Sequence, residues 1–160
     1  MTTKNLIIIR GPLAVGKTTI AKILAQKINA DYFSLDQILK ENNLEAADGI
    51  PLENFLKANE IIFNLTNKSK NTCIIDGCFY YQEQIDDLKK KFGDKTIIFT
   101  LMSDVEKCIE RDSKRKNVYG EDATRYVHTI TSKIQAGYEI NNSNLSAEET
   151  VDFMLKNLDS

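Results

Sequence analysis

One segment near the start of the chain combines two glycines, a lysine and a hydroxyl at fixed spacing. It reads Gly11, Pro12, Leu13, Ala14, Val15, Gly16, Lys17, Thr18 and Thr19. The pattern is G-x-x-x-x-G-K-[ST], in which glycines let a loop wrap around phosphate groups with its backbone N–H groups pointing inward. Lys17 would reach the terminal phosphates and the Thr18 hydroxyl would ligate Mg²⁺. The segment therefore predicts a nucleoside triphosphate site with a bound Mg²⁺ ion.

Two aspartates follow short apolar runs, Asp36 after Phe33–Leu35 and Asp76 after Ile74–Ile75. The carboxyl ends of parallel strands face one cleft, so both carboxylates should lie near Lys17. We predict that Asp76 approaches the Mg²⁺ ion and that Asp36 is the general base for an attacking hydroxyl. The alternatives are an ordinary turn at Asp76 and a helix N-cap at Asp36, and a cap role is compatible with a base role.

A basic run later in the chain contains Arg111 and Arg115, which are spaced i,i+4 and emerge on one helical face. An arginine pair can stack one guanidinium on a base and clamp a transferring phosphate with the other. We therefore predict that both arginines bind the nucleotide and that Arg115 is catalytic. The alternative is a solvated, charged helix end.

The elements that must position these residues alternate between short β-branched runs and stretches with helical periodicity. The predicted strands are Leu6–Ile9, Tyr32–Leu35, Thr72–Ile75, Thr96–Leu101 and Tyr138–Asn141. The predicted helices are Thr18–Ile28, Asp36–Asn43, Pro51–Lys68, Tyr81–Phe92, Asp104–Arg115, Ala123–Ala136 and one that opens at the capping box Ser146–Glu149. This alternation predicts an α/β domain with a mostly parallel sheet covered on both faces.

Composition restricts the class of protein further. The chain has 160 residues, 21 Lys and Arg against 23 Asp and Glu, and a net charge of −2, which argues against a dedicated nucleic-acid or membrane-surface binder. No apolar run approaches the roughly 18 residues that a spanning helix needs. Three cysteines without CxxC spacing predict neither a disulfide framework nor a zinc site. We expect a cytoplasmic protein with one domain, residues 1–160.

The phosphate loop, the two aspartates and the arginine segment together resemble the small P-loop kinases, which include adenylate, shikimate, gluconate, chloramphenicol and polynucleotide kinases. The resemblance covers nearly the whole chain. It implies a three-layer P-loop NTPase fold with a five-stranded parallel sheet in the order 2-3-1-4-5. It also implies ATP and Mg²⁺ as cofactors, acceptor-binding helices at about 36–70, and a lid at about 111–125 that closes over the nucleotide.

The arginine distribution departs from relatives that bind anionic acceptors. Arginine occurs at four positions, and none lies between Asp36 and Leu101, where the family places its acceptor helices. A guanidinium fits phosphate and carboxylate groups bidentately, so its absence favours a neutral hydroxyl compound as acceptor. Lys57 or Arg10 could still hold one anionic group. Aromatic residues replace the arginines, with Tyr80 and Tyr81 best placed to face a ligand.

The sequence thus predicts an ATP-dependent phosphotransferase that acts on a hydroxyl of a small molecule. Two alternatives remain open: a polynucleotide 5′-hydroxyl or nucleotide kinase, and a regulatory ATP-binding module without phosphotransfer. A polynucleotide kinase needs a basic channel for a strand, and the segment from Asp36 to Leu101 has no obvious one. Nothing in the sequence predicts the oligomeric state.

Overall fold

A five-stranded parallel sheet forms the centre of the molecule. The computed structural model describes residues 5–159, so residues 1–4 and 160 of the predicted domain lie outside the described residues. The strands are β1 (Leu6–Arg10), β2 (Asp31–Ser34), β3 (Cys73–Gly77), β4 (Thr96–Met102) and β5 (Tyr138–Asn141). They pair in the order β2-β3-β1-β4-β5, which confirms the predicted topology.

Helices cover both faces of this sheet. They are α1 (Lys17–Ile28), α2 (Leu35–Glu41), α3 (Leu52–Lys68), α4 (Gln82–Phe92), α5 (Val105–Ser113), α6 (Glu121–Ser132) and α7 (Ala147–Leu158), with a 3₁₀ turn at Gly93–Lys95. Residues of β1 alternate between two hydrophobic cores. Leu6 and Ile8 pack with α2, α3 and α4, whereas Ile7 and Ile9 pack with α1, α5 and α7. The apolar strand sequences are thus buried on both sides, as parallel sheets require.

Helix boundaries follow local hydrogen bonds. The predicted capping box at the start of α7 is confirmed, because Ser146 Oγ accepts from the Glu149 N–H and the Glu149 carboxylate accepts from the Ser146 N–H. Helix α6 was expected over 123–136 but occupies Glu121–Ser132. It begins directly after Gly120, which has φ 98° and donates its backbone N–H to the Asp112 carboxylate. Its early end coincides with Thr131 and Ile134, whose carbonyl groups accept hydrogen bonds from the Arg10 guanidinium, as described below.

The strand order brings the chemically interesting segments to one edge. The phosphate loop follows β1, Asp36 follows β2 and Asp76 lies near the end of β3, so all three lie at the carboxyl ends of neighbouring strands. Within residues 5–159, no helix is long and apolar enough to cross a bilayer.

Candidate active site

The phosphate loop joins β1 to α1 in an irregular backbone conformation. Ala14 has φ 61° and Gly16 has φ 100°, both in the left-handed region, which glycine adopts without the penalty that a Cβ brings. Lys17 Nζ donates to the carbonyl of Pro12 at 2.6 Å, and the buried Asn142 amide donates to the carbonyl of Val15 at 2.9 Å. Left-handed residues in such a loop create concave arrays of N–H groups that bind anions. The loop is therefore shaped for phosphate and is held to the strand edge by a residue that follows β5.

A cavity of about 330 Å³ opens beside this loop. It is lined by Leu13, Ala14, Gly16, Lys17, Thr18, Thr19, Asp36, Asp76, Cys78, Arg111, Arg115 and Tyr119. The structure thus brings together the three predicted catalytic residues and both predicted metal ligands. Gly11, Pro12 and Val15 are buried and do not line the cavity. These three residues contribute to the shape of the loop, and their contact with a nucleotide stays a prediction.

Asp76 is a buried carboxylate on β3, with 4% of its surface exposed. Tyr32 donates its hydroxyl proton to Asp76 Oδ2 at 2.5 Å. Burial raises the pKa of Asp76, while the Tyr32 hydroxyl, the Lys17 charge and the Thr18 hydroxyl oppose that rise. Desolvation also raises the pKa of Tyr32, which keeps its hydroxyl a donor. A cation beside Asp76 would stabilise the ionised carboxylate and so oppose the effect of burial on its pKa.

The donor set around Asp76 fits Mg²⁺. The Thr18 hydroxyl and the Asp76 carboxylate are hard oxygen donors, which this ion prefers. Residues 5–159 contain no cluster of three or more His, Cys, Asp or Glu side chains that would enclose a metal unaided. Mg²⁺ typically binds through one or two protein oxygens and completes its shell with water and substrate phosphates. The two predicted ligands are compatible with that mode.

The glycine after Asp76 has a packing role, and the chain does not turn at Asp76. Gly77 is still part of β3 and pairs with Arg10 of β1. A Cβ at this position would lie 2.7 Å from Leu35 Cδ2 and 3.1 Å from the ring of Phe79. The absence of a side chain allows the start of α2 to pack directly against the strand that carries Asp76.

Asp36 is not the N-cap of its helix. Helix α2 begins at Leu35, and its N-cap is Ser34, whose Oγ accepts from the Gln37 N–H at 3.2 Å. The expected cap was displaced by two residues because Leu35 is buried against β3 and must already be helical. Asp36 is exposed on the first turn and lines the phosphate cavity. Asp36 therefore does not cap this helix, and its carboxylate is available for the predicted role as a base.

A second cavity of about 650 Å³ adjoins the first one. The two cavities share Leu13, Asp36, Cys78 and Tyr119. The second cavity lies between α2, α3 and α6 and includes Phe55 and Tyr80 in its wall. Tyr80 thus faces a possible ligand, as predicted. Tyr81 does not line either cavity, since it packs on Phe55 and donates its hydroxyl proton to the carbonyl of Ile50.

Neither cation suggested for an anionic acceptor is available in these cavities. Lys57 is exposed on α3 and lines neither cavity. Arg10 is fully buried, and its guanidinium donates to the carbonyls of Phe79, Ile134 and Thr131 and to Thr100 Oγ1 at 3.0–3.3 Å. Desolvation lowers the pKa of Arg10 to about 10. The suggestion that Arg10 holds an acceptor anion is therefore wrong, because its donors are already used inside the protein.

The predicted lid segment is a tight connection between α5 and α6. The buried Asp112 carboxylate accepts from the backbone N–H groups of Tyr119 and Gly120 at 3.0 and 2.9 Å. The Arg115 guanidinium lies 4.8 Å from the centre of the Tyr119 ring, a cation–π contact. Both arginines of the segment line the phosphate cavity in this structure. Arg125 instead pairs with Glu106 and Glu121 at the surface.

A family model described as an AAA domain matches residues 7–129, from β1 to α6. The chain belongs to this AAA domain family. The match includes the phosphate loop, both aspartates and the arginine segment. A search of curated protein sequences returns no significant match.

Solved structures with the same fold cover nearly the whole AAA domain chain. An unliganded sugar kinase from Janibacter sp. HTCC2649 has a TM-score of 0.80 at 19% identity, over 98% of this chain and 95% of its own. A gluconokinase from Sinorhizobium meliloti 1021 has a TM-score of 0.74 at 14% identity, over 99% and 97%. A shikimate kinase from Acinetobacter baumannii in complex with shikimate has a TM-score of 0.68 at 18% identity, over 98% and 93%. The resemblance to small P-loop kinases is therefore confirmed as a likeness of fold.

Sequence reasoning missed several residues of this AAA domain site. Tyr32 and Cys78 come from positions whose local pattern indicated only a strand and its end. Asn142 follows a weak strand and gives no sequence signal of its contact with Val15. Tyr119 lies in the segment that was interpreted as a break between helices. The one sequence signal that could have identified Tyr119 is its aromatic side chain in a short loop close to Arg111 and Arg115.

Proposed function

We propose that this AAA domain chain transfers the γ-phosphoryl group of ATP to a hydroxyl of a small, neutral molecule. The observation that carries the proposal is that the phosphate cavity and the second cavity meet at Asp36. Each cavity suits one substrate, and the shared carboxylate lies where the reacting atoms of two substrates would meet. The fold likeness to three kinases of small molecules supports the same interpretation.

The residues have separate tasks in this reaction. Lys17 and the N–H groups of the phosphate loop hold the phosphate chain, and Arg111 and Arg115 add positive charge on the opposite wall. Thr18 and Asp76 would hold Mg²⁺, which neutralises charge on the phosphate oxygens when bound. Asp36 accepts the proton of the acceptor hydroxyl as the new P–O bond forms. The bond to the bridging oxygen breaks, and its electron pair stays with ADP.

The proposal is tested by ADP release in the presence of Mg²⁺, ATP and a panel of acceptors. The panel holds sugars, nucleosides, simple alcohols, nucleoside monophosphates and 5′-hydroxyl oligonucleotides. We expect a neutral hydroxyl compound to stimulate ADP release. Preference for an oligonucleotide or a monophosphate would favour the alternative kinases, and tight ATP binding without stimulation by any acceptor would favour a regulatory module.

A lysine variant shows whether the activity belongs to this site. We predict that Lys17→Ala lowers phosphotransfer by about 10²–10³-fold or more, because the charge it removes stabilises the transition state. Stability should fall by only about 1 kcal/mol, since Lys17 makes one hydrogen bond, to Pro12. Lys57→Ala, which removes an exposed lysine that lines neither cavity, is the matched control. Unchanged turnover in Lys17→Ala would contradict the assignment.

A further inference from the structure

The wall of the second cavity is mostly apolar. Its apolar and aromatic lining residues are Leu13, Leu35, Leu39, Ile50, Phe55, Cys78, Phe79, Tyr80, Tyr119, Ala123 and Val127. Phe55 and Tyr80 form an edge-to-face pair with ring centres 5.4 Å apart, so this part of the wall is a preassembled aromatic surface. Burial raises the pKa of Tyr80 to about 12, so the ring carries no charge at neutral pH. A cavity of this size and lining suits a ligand with an apolar body.

The polar side chains in this wall are few, and some are already paired. Ser34 Oγ is occupied as the cap of α2, and the Gln37 amide donates to Glu41 Oε1 at 2.7 Å. A polyol that fills the cavity would place several hydroxyls against the apolar part of the wall, where no partner is available. Each unpaired hydroxyl would cost on the order of 1–3 kcal/mol. The cavity therefore selects against compounds that carry a hydroxyl on every carbon.

The charges around this cavity also select against anions. The carboxylates of Asp36 and Glu45 line it, and Lys40 is the one cation among its described lining residues. Arg10, behind the same wall, has its donors bonded inside the core. An acceptor with a phosphate or carboxylate group would meet a net negative charge among these lining residues, whereas Arg111 and Arg115 line only the phosphate cavity.

We infer that the acceptor is a neutral alcohol with an aromatic or aliphatic body, which packs against Tyr80 and Tyr119 while its reacting hydroxyl faces Asp36. This inference rests on the proposed function for the reaction itself, and it adds the chemical class of the acceptor. The reacting oxygen gains a bond to phosphorus and loses its proton to the Asp36 carboxylate. The remaining product is ADP.

Three probes of similar size separate the possible classes. Phenylpropanol has an apolar body and one hydroxyl, glucitol is a polyol, and phenyllactate adds a carboxylate to an aromatic alcohol. We expect phenylpropanol to have a kcat/KM at least about tenfold above that of either other probe. Calorimetric titration of each probe into the full chain measures binding without turnover. Apolar burial predicts a negative heat-capacity change for phenylpropanol.

A matched pair of variants locates the binding. Ala123 is exposed at the first turn of α6 and lines the cavity, whereas Thr129 is exposed on the same helix and lines neither cavity. Ala123→Asp introduces a carboxylate that the first helical turn tolerates. We expect it to weaken phenylpropanol binding about tenfold with ATP affinity unchanged, and Thr129→Asp to leave both unchanged.

The outcomes distinguish this inference from the proposed function. If phenylpropanol binds and Ala123→Asp weakens that binding without any phosphotransfer, the second cavity is a site for an apolar alcohol and the proposed reaction fails. If glucitol or phenyllactate is phosphorylated faster than phenylpropanol, the inference is overturned and the kinase assignment stands. Equal binding of phenylpropanol to the Ala123→Asp and Thr129→Asp variants also overturns the inference. Thermal unfolding of both variants checks that each is folded.

Discussion

Asp36 and Asp76 both follow apolar strand sequences, yet their surroundings differ. Asp36 is exposed at the junction of the two cavities, whereas Asp76 is buried and accepts a hydrogen bond from the Tyr32 hydroxyl. An exposed carboxylate is accessible to an acceptor. A buried carboxylate beside a threonine hydroxyl is suited to a cation. Their environments therefore support different tasks for the same side chain.

We predict that Asp36→Asn lowers kcat by about 10²–10⁴-fold, the usual range for a positioned general base. ATP affinity should barely change, and stability should fall by less than about 1 kcal/mol because Ser34 caps the helix. Steady-state kinetics with the best acceptor and urea unfolding measure these effects. Glu53→Gln, an exposed change on α3, serves as the control. A kcat within a factor of two of the unmodified protein would exclude a base role for Asp36.

Asp76 makes stability depend on pH. Burial raises its pKa above the ordinary value of 3.8, so the folded chain binds this proton more tightly than the unfolded chain does. Between pH 3.8 and the raised pKa of the folded state, the contribution of Asp76 to the free energy of unfolding therefore falls as the pH rises. Above the raised pKa, the ionised Asp76 carboxylate lowers the free energy of unfolding by its full amount. Below pH 3.8 the group is protonated in both states and has no such effect.

We predict that Asp76→Asn stabilises the ligand-free protein by about 1 kcal/mol at pH 7, because an amide oxygen still accepts from Tyr32 and no charge is buried. The gain should disappear as the pH approaches 3.8. Urea unfolding at several pH values measures it. Asp122→Asn, a change at an exposed position of α6, controls for the loss of a charge. A gain that does not depend on pH would argue against the buried carboxylate as its source.

At the scale of elements, the connection between α5 and α6 is held by hydrogen bonds at its end and exposed to solvent in its middle. Asp112 fixes its end at Tyr119 and Gly120, while residues 114–118 are exposed. We predict that a non-hydrolysable ATP analogue slows amide hydrogen exchange over residues 111–125, since Arg111 and Arg115 gain contacts with phosphate. Mass spectrometry of peptides from this segment and from α7 measures the effect. Equal exchange in both states would contradict a lid that closes on nucleotide.

A substitution at Asp112 tests separately what orders the same segment. We predict that Asp112→Ala accelerates exchange at residues 114–120 without nucleotide and lowers stability by about 1–3 kcal/mol, because two backbone N–H groups lose their acceptor. Asp122→Ala is the control, since its side chain is exposed at the first turn of α6. Unchanged exchange in Asp112→Ala would show that other contacts order the connection.

Sequence patterns predicted elements better than they predicted the details of the site. The β-branched runs and the capping box of α7 are local signals, so the five strands and this helix start were correct. The strand order, also correct, came from the resemblance to small P-loop kinases. The cap of α2 was misplaced because Ser34 and Asp36 are both good caps, and only the burial of Leu35 decides between them. The second cavity forms where α2, α3 and α6 meet, which no local pattern encodes.

At the scale of the whole molecule, Arg10 links distant parts of the chain. Its guanidinium joins β1 to β4 through Thr100, to the segment after β3 through Phe79, and to the end of α6 through Thr131 and Ile134. The sequence analysis named this arginine only as a residue that could hold one anionic group of an acceptor. Its complete burial is unexpected, because arginines are seldom buried unless they are paired. Backbone carbonyls supply its partners here, and carbonyl positions are a property of the complete fold.

We predict that Arg10→Lys lowers the free energy of unfolding by about 2–4 kcal/mol, because an ammonium cannot reach four acceptors in the fork geometry of a guanidinium. Arg125→Lys, at a surface pair with 45% of the arginine side chain exposed, should cost less than about 1 kcal/mol. Urea unfolding of both variants compares them directly. Similar losses in the two variants would show that the buried network contributes little.

The same network also determines how α6 can move. The C-terminal end of α6 is tied to the strand from which the phosphate loop emerges, whereas its N-terminal end joins the exposed connection that carries Arg115 and Tyr119. The rest of α6 is held as well. His128 Nε2 lies 2.7 Å from the Ser103 carbonyl oxygen, Arg125 pairs with Glu106 of α5, and Asp112 binds the backbone just before the helix. Because α6 is anchored along its whole length, a movement of the exposed residues that carry Arg115 would leave Ala123 and Val127 in the wall of the second cavity.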